Sequence, residues 1–114
     1  MSQFAPNAIG HFDVCGPDAA ALQAFYSGLF GWLATPKGPG YSLLETPEGS
    51  PNGAIVEADS PALTMGIVVP DLNAVIEAAT RHGGAVVMPV TDNGWVKKAM
   101  LRDPAGNVVT VIQG

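Results

Sequence analysis

The sequence predicts a mixed α+β fold built as two βαβββ modules in tandem, and three observations carry that prediction. His11–Asp18 (HFDVCGPD) and Thr64–Asp71 (TMGIVVPD) match at an offset of 53 residues, which also lays Leu22 on Val75 and Gly31 on Gly84. At the same offset Ser50–Glu57 (SPNGAIVE) falls on Asp103–Thr110 (DPAGNVVT), sharing a Pro, a Gly and an apolar pair. Finally, 14 Gly and 10 Pro in 114 residues, scattered without period, demand many short elements joined by tight turns. The polar stretch Asp59-Ser60-Pro61 divides the repeat, so a single domain over 1–114 contains modules of about 8–58 and 62–114.

Each module then reads in the same order. A β-rich run (Ile9–Cys15; Leu63–Val69) ends at Pro-Asp, where Pro cannot continue a ladder and Asp18 or Asp71 suits a helix N-cap. Leu22, Phe25, Tyr26, Leu29 and Phe30 recur at helical spacing, as do Leu72, Val75, Ile76 and Ala79. Gly28/Gly31 and Gly83-Gly84 supply the stops, and His82 suits the second helix C-terminus. Three strands follow each helix: near Trp32–Thr35, Gly40–Thr46 and Gly53–Ala58, then near Ala85–Pro89, Trp95–Arg102 and Asn107–Ile112.

Charge and composition remove several function classes. Ten acidic residues against five basic ones leave a net charge of −5, and no basic cluster exceeds Lys97-Lys98. Phosphate neutralisation needs a basic footprint, so no nucleic-acid partner is expected. There is no apolar window long enough for a membrane span and no signal-like start, and the single Cys15 forms no disulfide within the chain. A cytoplasmic protein without a membrane partner is the expectation. No serine-hydrolase elbow, phosphate loop, zinc-protease helix, CxxC pair or dinucleotide fingerprint is present.

Strand alternation sorts the remaining candidates. Phe12 and Val14 should lie under the first helix, which leaves His11, Asp13 and Cys15 on the helix-free face; Thr64, Gly66 and Val68 take that face in the second copy. An acid in mid-strand requires a polar cavity or a partner, which makes Asp13 a site candidate. Cys15 has no nearby cation in sequence to activate it and reads as a small core residue. Trp32 and Trp95 open strands and fill core or contact surface, with a ligand-flanking role as the alternative. Of the adjacent Lys97 and Lys98, at most one reaches the helix-free face.

The paired modules, the His seven residues before a Pro-Asp cap, FYSGLFGW (Phe25–Trp32) and DPAGN (Asp103–Asn107) together resemble the vicinal oxygen chelate superfamily, the glyoxalase/bleomycin-resistance/extradiol-dioxygenase group. The resemblance implies curled mixed sheets enclosing a cavity and a homodimer. Its metal-dependent members hold a divalent ion on the first and last strand of each module, positions that map onto His11, Glu57, Thr64 and Thr110. Thr at both second-module positions is a poor ligand set, so the metal site is degenerate, with His11 and Glu57 retained as possible ligands and Asp13 as a possible third.

The first functional expectation is therefore a metal-free protein without cofactor that binds a small molecule, comparable to the drug-sequestering branch. Its ligand residues would be His11, Asp13, Glu57, Thr64 and Thr110, in a cavity suited to an amphipathic or cationic molecule. The alternatives are a metal-dependent lyase or isomerase using His11 and Glu57, and a non-catalytic dimerisation module.

Overall fold

The computed structural model describes residues 5–92, 94 and 96–114. Trp95, expected to open a strand, lies outside the described residues. Among the described residues the order is β1 (Ala8–Gly16), α1 (Ala19–Phe30), β2 (Leu33–Gly38), β3 (Tyr41–Glu45) and β4 (Gly53–Glu57), then β5 (Ala62–Val69), α2 (Leu72–Ala79), β6 (Ala85–Asp92), β7 (Lys97–Arg102) and β8 (Val108–Gln113). The expected βαβββ order is present twice. The chain divides into one unit spanning His11–Thr64 and a second comprising Met65–Gly114 with residues 5–10, so the boundary falls a few residues from the expected module edges.

Both helices begin where the sequence demands. Asp18 and Asp71 take extended backbone, and their Oδ1 atoms accept from the N–H groups of Ala21 and Ala74 at 3.0 and 3.1 Å. The second helix has additional support, because Gln113 Oε1 accepts from the Leu72 N–H at 2.9 Å. Gly31 ends α1 in the left-handed conformation with its N–H on Ser27 O, whereas Gly28 lies inside the helix and stops nothing. A 3-10 turn, Thr80–His82, continues α2 to left-handed Gly83 and carries Arg81 and His82 at its end, where the helix dipole favours cations. Asp18→Ala and Asp71→Ala are each expected to cost about 1 kcal/mol, additively, in urea unfolding.

In the first unit the strands lie in the order β2-β3-β4-β1, with β1 parallel to β4 and the other neighbours antiparallel. Val14, Leu44 and Ile55 are buried against α1, flanked by Phe12, Leu22, Tyr26 and Trp32. Trp32 stacks on Tyr26, their ring planes 12° apart with centroids at 5.9 Å, so it is a core residue. The second unit has the order β5-β8-β7-β6, and Val69, Leu72, Ala99, Leu101 and Val111 form its core with Ile67, Val75 and Ile76 packed around them. Phe12 and Val14, and Ile67 and Val69, thus cover their helices as alternation predicts, while Met65 is exposed.

The strand registers correct one part of the sequence repeat. Gly16 pairs with Glu57 in the first unit and Val69 with Gln113 in the second, so Gly16 and Val69 keep the offset of 53 while Glu57 and Gln113 are 56 apart. By the same ladders Asp13 faces Ala54, and Gly66 faces Thr110. The gapless match of Glu57 with Thr110 therefore does not hold; Ala54 is the counterpart of Thr110. The hairpins joining the second and third strands of each copy differ in length as well: Leu33 pairs with Glu45, but Ala85 pairs with the more distant Arg102.

Candidate functional site

The chemistry-bearing residues of the first unit gather on the sheet face away from α1. Val14 and Ile55 face the helix core, so alternation puts His11, Asp13 and Cys15 of β1 on the other face with Ala54 and Val56 of β4. The β3–β4 register adds Tyr41 opposite Val56 and Leu43 opposite Ala54. His11 Nε2 donates to Asp13 Oδ1 across 2.9 Å, and both side chains are half-buried. That contact supplies the partner a mid-strand acid requires, and it fixes the proton on Nε2, because the carboxylate only accepts.

The surroundings of Asp13 leave a mark on two protons. Burial raises the Cys15 thiol above its ordinary range, and the Asp13 charge raises it further. Tyr41 is raised by the same two causes in the same order. The thiol thus keeps its proton to higher pH than an ordinary cysteine, and Cys15 is half-buried on the helix-free face rather than part of the core cluster under α1. Tyr41 is the site residue that sequence reasoning missed; the signal was the alternation of Tyr41 and Leu43 along β3, legible only once the β3–β4 register is known.

An expected result follows from the order of causes. Asp13→Asn should shift both titrations downward only in part, because burial is the larger cause. Maleimide reaction of the single Cys15 against pH, with tyrosinate absorbance for Tyr41, measures it; unmoved titrations would show that Asp13 does not face them. The sign for stability is also set. Both groups hold their protons more tightly when folded, so this contribution is complete below about pH 9 and is lost as pH rises through the folded values.

The other expected ligand residues are placed differently. Glu57 lies opposite Gly16, on the strand face shared with Ile55 and not with Asp13, at the exposed end of β4 against Gly40. Thr64 is half-buried in β5. Thr110 is 4% exposed and lies on the helix-free face of the second unit, opposite Gly66 and Met100. Lys98 shares that face beside Ile112, and Lys97 does not. The structure therefore joins His11 with Asp13 and separates Glu57 from both.

A family model described as a glyoxalase-like domain matches residues 11–112. The chain belongs to this glyoxalase-like family. It is 33% identical to the anthracycline biosynthesis protein DnrV of Streptomyces peucetius over 97% of its own length and 48% of that protein. The chain thus spans about half the length of the curated relatives it matches. The fold is also that of methylmalonyl-CoA epimerase from Mycobacterium tuberculosis, with a TM-score of 0.71 at 12% identity over 99% of this chain and 91% of that one. The Mn(II)-bound glyoxalase from Novosphingobium aromaticivorans gives a TM-score of 0.74 at 14% identity over 95% of this chain and 39% of that one.

A divalent ion, which one of these similar structures carries, can be tested against the donors of this glyoxalase-like domain. An open catalytic site normally has three protein ligands. Among the described residues no three His, Cys, Asp or Glu side chains converge. Ala54 occupies the position that the register makes equivalent to Thr110, and a methyl group cannot ligate. The donors brought together on the helix-free face of the first unit are His11 and Asp13, two where such a site normally uses three. No helix among the described residues is long and apolar enough to cross a membrane.

Proposed function

We propose that this glyoxalase-like domain binds an amphipathic small molecule with a cationic group, without a resident metal, on the helix-free face of its first unit. The observation that supports the reading is the half-buried Asp13, oriented by His11 at 2.9 Å. Around it lie apolar Ala54, Leu43 and Val56 with the Tyr41 ring. A carboxylate on an apolar floor attracts a cation more strongly than one in bulk water, because the effective dielectric is lower. The floor takes the apolar body, and Asp13 and Tyr41 fix the polar end. Tyr41 can add a cation–π contact, worth roughly 0.5–1 kcal/mol where solvent reaches it.

The name of the Streptomyces relative supplies the first probe class, anthracyclines. Fluorescence titration with an anthracycline bearing a free amine is expected to saturate at a micromolar Kd, about −8 kcal/mol. Asp13→Asn, or acylation of the ligand amine, should weaken binding about tenfold, the worth of one charge-assisted hydrogen bond. Glu57→Gln and prior chelation should leave it unchanged. Saturable binding by no cationic aromatic ligand, or binding indifferent to Asp13, would overturn the proposal. Loss on chelation with recovery on Mn(II) would put the metal-dependent lyase or isomerase in its place.

A further inference from the structure

The two copies of the repeat carry opposite charge on corresponding faces. In the first unit β3 turns Tyr41, Leu43 and Glu45 to the helix-free face, because Leu43 lies opposite Ala54 and alternation carries the residues two positions away with it. In the second unit Met100 lies opposite Thr110, the counterpart of Ala54, so β7 presents the matching set Lys98, Met100 and Arg102. Lys98 thus stands where Tyr41 does, and Arg102 where Glu45 does. On the first strand of each unit Gly66 stands where Asp13 does. The one acid in β5, β6, β7 and β8 is Asp92, and it lies opposite Lys97 on the other face. Two of the five basic residues of a chain with net charge −5 therefore share a face that none of those strands supplies with an acid.

Two polar groups on that face have no partner. Lys98 is half-buried, and among the described residues neither it nor Arg102 forms an ion pair. Thr110 is 4% exposed, yet its hydroxyl has no hydrogen-bond partner among the described residues, which buried polar groups ordinarily find. Nor is that oxygen sealed off, as the partnerless Ser27 hydroxyl is. Lys98 and Thr110 are diagonal neighbours across β7 and β8, about 7–8 Å apart at Cα, a span the lysine stem crosses. We propose that the helix-free face of the second unit binds the oxyanion of a small amphipathic molecule. Lys98 Nζ and the Thr110 hydroxyl donate to the anion, and its apolar body lies over Val68, Met100 and Ile112. Arg102, at the exposed end of β7, adds to the field that draws the anion in. An ammonium over an apolar floor holds an anion more strongly than one in bulk water.

This site goes beyond the cation reading of the first unit and does not rest on it, since the two share no residue. Titration of the whole chain with benzoate, followed by amide chemical shifts, is expected to move Lys98, Met100 and Thr110 with a Kd of about 1 mM. Benzamide, the same ring without the charge, should bind at least about tenfold more weakly, and added salt should weaken benzoate. Lys98→Met should weaken benzoate about tenfold or more, whereas Lys98→Arg should retain it, the spectrum of each variant reporting its fold. Thr110→Val should cost a smaller factor, about threefold. A parallel titration with phenyl phosphate separates the two oxyanions, because the tighter of the pair assigns the face to a carboxylate or to a phosphate. Benzylammonium should move amides around Asp13 and none around Lys98, so the two readings fail in separate regions of one spectrum. Absence of any shift with both anions up to about 20 mM, shifts that benzamide matches, or binding indifferent to Lys98→Met would sink the proposal.

Discussion

Truncating Leu44 to Ala is expected to lower the stability of the chain by about 3 kcal/mol, a large share of the roughly 5–15 kcal/mol that holds a domain of this size together. Leu44 of β3 is 0% exposed and belongs to one buried cluster with Val14 of β1 and Ile55 of β4. The cost has two parts, the lost transfer of its side chain from water and the cavity left among neighbours that cannot all collapse inward. Phe12, Tyr26 and Trp32 are locked together by ring contacts at 5.8 and 5.9 Å, so relaxation into the void is restricted. Urea unfolding followed by tryptophan fluorescence checks the value. Leu63→Ala serves as the comparison, since that side chain is exposed and should change stability by no more than about 0.5 kcal/mol. Equal effects at the two positions would mean that the core of the first unit is not where Leu44 lies.

Much of this core was legible in the sequence, because it depends on local rules. Alternation in β1 placed Phe12 and Val14 under the helix, and Pro-Asp located both N-caps, since each requires only near neighbours along the chain. The helix ends were also local, with left-handed Gly31 and Gly83 where glycine was expected. The site was less legible, because it depends on register between strands distant in sequence. Aligning SPNG with DPAG matched turn chemistry rather than position. The glycine that shares the turn conformation of Gly106 (φ +101) is Gly49 (φ +92). Gly53 instead lies within β4, so close to Phe12 that a Cβ there would clash with its ring and carbonyl. A hairpin whose length differs between the copies leaves no local sign, and it moved Glu57 off the face of Asp13. Tyr41 was missed for the same reason.

That register gives the second large effect. Ala54→Glu is expected to destabilise the chain by at least about 3 kcal/mol at pH 7, the range for a buried charge without a partner. Ala54 is 0% exposed and lies between Asp13 of β1 and Leu43 of β3, so the new carboxylate would enter an apolar floor beside an existing acid. Desolvation and the like charge both raise the pKa of such a group in the folded state. The electrostatic loss should therefore shrink as pH falls from the raised folded value toward the unfolded one, and be gone below about 4, where the added Glu is protonated in both states. Urea unfolding at pH 7 and again in acid, with Ala54→Gln measured in parallel, separates charge from bulk: Gln keeps the steric cost at both pH values, and Glu loses its electrostatic share in acid. Glu57→Ala, at the exposed strand end, should stay within about 0.5 kcal/mol. If Ala54→Glu were tolerated while Glu57→Ala unfolded the chain, the two strands would be out of the register described, and the apolar floor beside Asp13 on which the proposed ligand reading rests would not exist.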